Sequence, residues 1–313
     1  MSLDALRKGG KRALARALAD LETRPETPDV TSLLDAAFAE PRGVAIGLTG
    51  PPGVGKSTLV DALIRCWRQE GLTVGVIAVD PSSSRSGGAL LGDRTRIATD
   101  PEDAGVFLRS MAARDQLGGV AAITFPALVL MRALFDRVLV ETVGVGQSET
   151  AVAGLCDVTA VCTQPGSGDA LQFMKAGVME VPDVLIVTKA DLGALARRAV
   201  ADLKGALSVT ATGTPPAVLA CSASDGTGVA DVAHALAGAE GATAERHRAQ
   251  VGTWLRATLA DRYGRSGLAA LGTVEPDPSH PFTAAARESA RLAEAFARAI
   301  AETAPPLRAT HSR

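Results

Sequence analysis

Gly50-Pro51-Pro52-Gly53-Val54-Gly55-Lys56-Ser57 matches the pattern G-x-x-x-x-G-K-[ST] in full. Before it runs Val44–Leu48, short, apolar and rich in β-branched residues; after it, Lys56–Glu70 carries its apolar residues at helical spacing. Strand, glycine-rich turn and helix in that order are the setting in which this pattern binds phosphate. Glycines let successive backbone N–H groups curl round phosphate oxygens, and the start of the helix adds its positive end. Lys56 then bridges the β- and γ-phosphates, while the Ser57 hydroxyl binds Mg²⁺. The phosphate-side contacts expected are Gly50, Pro52, Gly53, Val54, Gly55, Lys56, Ser57 and Thr58.

Working outward, apolar β-branched runs recur at Val74–Val79, Val138–Val140, Val158–Cys162, Val184–Val187 and Val218–Ala220. Helix-like stretches separate most of them, at Gly119–Leu134, Ala194–Leu207 and Gly228–Ala237. Strands alternating with helices predict an α/β fold, a P-loop NTPase with a mainly parallel sheet covered on both faces. Ligands of such sheets bind at the carboxyl ends of the strands. Residues 1–42 read as an N-terminal helical extension broken at Pro25 and Pro28, and 43–240 as the nucleotide domain. Residues 241–313 read as a C-terminal helical extension. Its helices at Ala244–Asp261 and Phe282–Ile300 either cap the sheet or form a dimer interface, and the tail from Pro305 is frayed.

The chain has 313 residues, 47% hydrophobic and only 3% aromatic, so a sizeable core packed with small side chains is expected. A net charge of −2 offers nothing general to nucleic acid or to anionic membranes. Lys8, Lys11, Arg12 and Arg16 interrupt any secretory apolar core, and the longest apolar run, Phe125 to Val140, contains Arg132, Asp136 and Arg137. A cytoplasmic protein is expected. Cys66, Cys156, Cys162 and Cys221 form no C-x-x-C pair and read as reduced thiols; the four histidines show no zinc-ligand spacing.

A bound magnesium ion needs carboxylates. Asp80 ends the run Val74–Val79, Asp93 follows the polar stretch from Pro81 to Gly88, and Glu141 ends Val138–Val140. Each alone reads equally as a turn or capping residue. Together, at the edge of a sheet already carrying a phosphate loop, they are the candidate metal acids with Ser57. Glu141-Thr142-Val143-Gly144 has the layout D-x-x-G with Glu for Asp, so the Gly144 amide is expected at the γ-phosphate. Base choice falls to Thr188-Lys189-Ala190-Asp191. Asp191 can accept from both the N1–H and the 2-amino group of guanine, a donor pair that adenine lacks. Lys189 lies along the base with its stem. Thr188 stands where Asn is usual, and Ser222-Ala223 resembles the S-A element whose Ala amide meets the guanine O6. GTP and GDP are therefore the expected substrate and product.

These stretches resemble the MeaB/ArgK family of P-loop GTPases. The resemblance rests on Gly47 to Thr58, Val79-Asp80-Pro81-Ser82-Ser83, Ser86 to Arg96, Glu141-Thr142-Val143-Gly144-Val145-Gly146-Gln147-Ser148-Glu149, and Gly166 to Gly177. It implies a GTP-hydrolysing chaperone of an adenosylcobalamin-dependent acyl-CoA mutase, of the methylmalonyl-CoA mutase type. Such a protein gates cofactor loading and protects or reactivates the mutase. The resemblance also implies a homodimer built through the C-terminal helices, metal acids at Asp80, Asp93 and Glu141, and a third switch loop over Gln164–Lys175. Lys56 and Glu141 would act in hydrolysis, and Lys175 would couple it to the partner. Thr188, and Pro182 where Ala is usual, depart from the family pattern. Two other classes share the fold. A metallochaperone GTPase needs a His tract or Cys cluster, which is absent from the sequence; a P-loop small-molecule kinase has no use for Asp191 or Ser222-Ala223.

Overall fold

The computed structural model describes residues 1–80, 100, 102–112, 122–142, 148–166, 182–210, 215–238, 243–271, 277 and 279–303. Two helices lead, α1 (Leu3–Thr23) and α2 (Pro28–Ala39). Ser2 caps α1 by accepting from the Ala5 N–H at 3.2 Å, and Gly10, at φ 59°, kinks it. Pro28 opens α2 at the first helical position, where its missing N–H costs nothing. There follow β1 (Val44–Thr49), α3 (Lys56–Gln69), β2 (Val74–Asp80), β3 (Val106–Ala112), α4 (Thr124–Arg132), β4 (Arg137–Thr142) and α5 (Ser148–Ala153). Then come β5 (Val158–Thr163), β6 (Val184–Val187), α6 (Ala194–Thr210), β7 (Ala217–Ala220), α7 (Val229–Ala237), α8 (Ala244–Leu271) and α9 (Pro281–Thr303).

The seven strands form one sheet in the order β3-β2-β4-β1-β5-β6-β7, and every pairing is parallel. The mainly parallel α/β fold expected from the sequence is the fold observed. Two elements were not anticipated: the edge strand β3 and the short helix α5. Helix α4 begins at Thr124, later than the Gly119 expected; 119–121 lie outside the described residues.

Strand side chains alternate between two packed layers. Ile46, Leu48, Val76, Leu139, Ala160 and Ile186 face α3 and α7, with Trp67 of α3 fully buried there. On the other face Ala45, Ile77, Val79, Val138 and Val140 meet α1, α2, α4 and α5, and Val161, Leu185 and Val187 meet α6. Val251 of α8 and Phe282 of α9 join the same core as α1 and α2. Burying each of Leu6, Leu14, Leu18 and Leu21 on α1 stabilises the fold by roughly 1.5–3 kcal/mol. Asp35 of α2 fixes the start of α9: its carboxylate accepts from the Phe282 N–H at 2.8 Å and from the Thr283 N–H at 3.3 Å. The C-terminal helices thus pack onto the helical layer formed by α1, α2 and α4. At Gly47 a side chain is excluded, because a Cβ there would lie 2.1 Å from Val152 of α5.

Below the opposite, amino-terminal edge of the sheet sits a buried polar cluster. The Asp157 carboxylate accepts from the Ala45 N–H (2.9 Å), Arg132 Nη1 (3.3 Å) and Gln250 Nε2 (3.1 Å), and lies 3.2 Å from His247 Nε2. Burial alone would raise this carboxyl; the His247 contact, the Arg132 charge and the Ala45 N–H together hold it at about 2. Burial pulls Arg132 below its ordinary value, against the opposing pull of Asp157. Through His247 and Gln250 the cluster fastens α8 to the sheet.

Candidate functional site

The central strand β1 lies between β4 and β5, where successive connections leave in opposite directions. Such a switch point opens a crevice at the carboxyl ends of the strands. Residues 50–55 run through it in a conformation that depends on glycine: Gly50, Gly53 and Gly55 have φ of 142°, 75° and 97°. Gly50 also passes so close to β5 that a Cβ would lie 2.4 Å from the Cys162 carbonyl oxygen. Gly55 caps α3 in the left-handed conformation.

Lys56, 7% exposed, turns its ammonium back into the loop and donates to the carbonyls of Gly50 (2.7 Å) and Pro51 (3.0 Å). Ser57 Oγ donates to Glu141 Oε1 at 2.8 Å. Register explains this contact. Glu141 on β4 pairs with Leu48 on β1 and with Ala78 on β2, so it stands at the strand ends directly beside the start of α3. Asp80 ends β2, two residues beyond the Ala78–Glu141 pair. The expected metal group of Ser57, Glu141 and Asp80 therefore shares one end of adjacent elements. Asp93, Gly144 and Lys175 lie outside the described residues. Among the described residues no group of three or more His, Cys, Asp or Glu side chains could hold a metal ion.

The residues expected to recognise the base gather on the other side of the loop. Thr188, 5% exposed, places Oγ1 2.7 Å from the Val54 carbonyl and 2.9 Å from that of Thr163. It ties the phosphate loop to the end of β5. This purpose of Thr188 was not legible from the T-K-x-D spacing. Lys189 is the described non-glycine residue with positive φ, at 56°, and its Nζ reaches the Gly53 carbonyl at 3.4 Å and the Gln164 side chain. Asp191 is exposed in the 3-10 turn Ala190–Leu192. Ala190 N–H donates to the Cys221 carbonyl at 3.0 Å, joining this turn to the Ser222-Ala223 segment. Ser222 is buried; its N–H donates to Thr227 and its hydroxyl lies 2.8 Å from that of Ser224. Beneath the site Cys162 and Cys221 are free and buried. Burial raises both thiols, Cys221 to about 11, so they stay neutral at ordinary pH.

The arrangement is a glycine loop with an inward lysine, a serine–carboxylate pair on one flank and an exposed aspartate on the other. It can cradle a nucleoside polyphosphate and offers a hard, all-oxygen donor set. Among the described residues no helix is long and apolar enough to cross a membrane.

Comparison with known proteins agrees. Residues 14–269 match the family model described as "Methylmalonyl Co-A mutase-associated GTPase MeaB". A Pyrococcus abyssi protein carrying a provisional GTPase name is 45% identical over 195 residues, 60% of this chain and 58% of that one. The chain thus spans under two thirds of that archaeal relative. The GTPase ArgK of Escherichia coli is 38% identical over 244 residues, 75% of this chain and 74% of that one. The crystal structure of the LAO/AO transport system kinase superposes with a TM-score of 0.64 at 29% identity, covering 94% of this chain and 96% of that one. The chain belongs to the MeaB family of P-loop GTPases.

Proposed function

We propose that the chain is a GTP-hydrolysing switch that chaperones an adenosylcobalamin-dependent acyl-CoA mutase of the methylmalonyl-CoA mutase type. In that role it gates cofactor loading and protects or reactivates the mutase. The observation that carries the GTPase part is the 2.8 Å bond between Ser57 Oγ and Glu141 Oε1. It joins the phosphate loop to the strand-end carboxylate that opens the Glu141-Thr142-Val143-Gly144 run. The mutase part is supported by the family description, which names methylmalonyl-CoA mutase.

In this reading Ser57 and Glu141, with Asp80 and Asp93, hold Mg²⁺. Held there, the ion would offset the negative charge of the nucleotide's phosphates. Lys56 exchanges the Gly50 and Pro51 carbonyls for phosphate oxygens and stabilises the charge that develops as water attacks the γ-phosphate in line. The Gly144 amide senses the γ-phosphate. Asp191 accepts from the guanine N1–H and 2-amino group, the Lys189 stem lies along the base, and the Ala223 amide meets the guanine O6. Lys175 couples hydrolysis to the mutase. The chain acts in the cytoplasm as a homodimer formed through its C-terminal helices.

No Gln follows Gly144 directly; Gln147 is three residues on. Intrinsic turnover is therefore slow, and the partner raises it. The test measures GTP turnover of the full chain with and without the mutase from the same organism. Slow basal hydrolysis accelerated by the mutase is expected. Basal hydrolysis already above about 1 s⁻¹, the range of metabolic enzymes, with no increment from the mutase, sinks the switch reading.

A further inference from the structure

Strands β5 and β6 end side by side: Thr163, the last residue of β5, pairs with Val187, the last of β6. The pairing runs one step further, because the Thr188 N–H donates to the Thr163 carbonyl at 2.8 Å. Gln164 and Lys189 therefore leave adjacent strand ends beside the phosphate loop. Pro165 follows Gln164 and disfavours a helical backbone there; the chain then turns at Gly166, φ 79°. Gln164 itself is half-buried.

Lys189 stands in the left-handed conformation, φ 56° and ψ 45°, which a lysine rarely adopts. The bend is fixed on one side by the Thr188 N–H and on the other by the Ala190 N–H, which donates to the Cys221 carbonyl at 3.0 Å. From it the Lys189 side chain reaches the loop, where its ammonium meets two acceptors. The Gly53 carbonyl lies 3.4 Å away, at the long limit of a hydrogen bond, and the Gln164 side chain is closer. An ammonium only donates, so the Gln164 atom that faces it is the amide oxygen, Oε1. A lysine head on its four-carbon stem has rotamer freedom to lose whenever a ligand orders it. An acceptor already holding that head removes part of the loss before nucleotide arrives. Gln164 is also neutral, so it holds the ammonium without bringing a negative charge to a site built for an anion.

We propose that Gln164 is a positioning residue for guanine nucleotide: through its amide oxygen it sets Lys189, whose stem then lies along the base. The inference rests on the reading of Lys189 as the base-side lysine and extends it to a residue outside the T-K-x-D element. The full chain, Gln164→Met, Lys189→Met and the double variant are titrated calorimetrically with GDP and with inorganic pyrophosphate, beside urea unfolding curves. Gln164→Met removes the acceptor and keeps an unbranched side chain. It weakens GDP about three- to tenfold. It weakens pyrophosphate less than about twofold, because pyrophosphate has no base for Lys189 to meet. In the Lys189→Met background the same substitution changes GDP affinity less than about twofold, since the bond it removes is already gone. A general loosening of the loop would instead weaken both ligands alike and would persist without Lys189. Unchanged GDP affinity in Gln164→Met, equal losses for GDP and pyrophosphate, or the full loss repeated in the Lys189→Met background overturns the proposal. If Gln164→Met does not fold, Gln164→Ser is read against the same three outcomes. If Lys189→Met leaves GDP affinity unchanged, the base-side reading of Lys189 fails and the proposal falls with it. A loss in Lys189→Met with none in Gln164→Met overturns the proposal alone.

Discussion

Thr188→Val isolates the tie between the Thr188–Asp191 segment and the phosphate loop. The Thr188 hydroxyl has one hydrogen and two carbonyls within reach, Val54 at 2.7 Å and Thr163 at 2.9 Å. Thr163 has a second donor, the Thr188 N–H at 2.8 Å, so the substitution leaves it paired. The Val54 carbonyl is left without this bond, and Val54 is only 1% exposed. A stranded buried acceptor costs about 1–3 kcal/mol, and valine fills the same outline, so the hydrogen bond is the main loss. The cost falls on the loop conformation itself, because Val54 sits between Gly53 and Gly55, both at positive φ. If nucleotide binding requires that conformation, affinity for GDP drops about tenfold for every 1.4 kcal/mol. The assay is a titration with fluorescently labelled GDP beside a urea unfolding curve. Thr188→Val should lose roughly 5- to 140-fold in affinity. Thr188→Asn, which keeps a donor, should stay within about threefold of the parent. If Thr188→Val binds GDP as tightly as the parent and unfolds at the same urea concentration, the tie has no energetic content and the reasoning fails.

Lys56→Ala should weaken GDP by about 2–3 kcal/mol, the worth of a charge-assisted hydrogen bond, read by the same titration; an unaltered affinity would remove Lys56 from the phosphate site. Asp191→Asn should move preference from guanosine to xanthosine nucleotides, measured as the ratio of the two dissociation constants; an unchanged ratio rejects the base assignment. Asp157→Asn should destabilise the fold by about 3–5 kcal/mol at pH 7, since Arg132, 1% exposed, would keep a buried charge without its carboxylate. The acid limb follows from the same group. Its folded carboxyl sits at about 2, below an unfolded value near 3.9. Its contribution, about 2.6 kcal/mol, is therefore complete above roughly pH 5 and lost progressively as pH falls through 2. The gap between the urea midpoints of parent and Asp157→Asn should narrow from pH 5 to pH 3, by about 1 kcal/mol once multiplied by the m-value; a constant gap contradicts the assignment.

The phosphate loop was legible because every element of its reading is local: an apolar strand, glycines where the backbone must turn left-handed, and a helix start at Lys56. The T-K-x-D spacing marked Thr188 to Asp191 as a unit, but the contacts of Thr188 were not legible. Its partners, Val54 and Thr163, come from segments that only the sheet brings together. Strand β3 escaped notice because Arg109 and Ser110 interrupt its apolar run. As an edge strand it pairs with β2, and Arg109 finds its partner in Glu22 of α1. The cluster of Arg132, Asp157, His247 and Gln250 left no sequence pattern either, since helix and strand ends far apart in the chain supply its members. The histidines looked scattered, yet His247 is buried against Asp157.

The strand order carries a consequence for how the chain is made. β1 has no strand partner nearby in sequence: Val44 pairs with Arg137 on one side, and Ile46 pairs with Val158 on the other. During synthesis the apolar run Val44–Thr49 leaves the ribosome long before either neighbour exists. Closing such long loops is slow, and unpaired apolar strands are prone to aggregation while they wait. The loop from Gly50 to Ser57, although complete as a motif from the moment it is translated, cannot be held in its nucleotide-binding shape until β5 and β6 have emerged, β5 to lie against Gly50 and β6 to bring Thr188 to the Val54 carbonyl. GTP can therefore act as a folding ligand only late, sealing a sheet whose central strand is the first made and waits for the fifth before it is flanked on both sides.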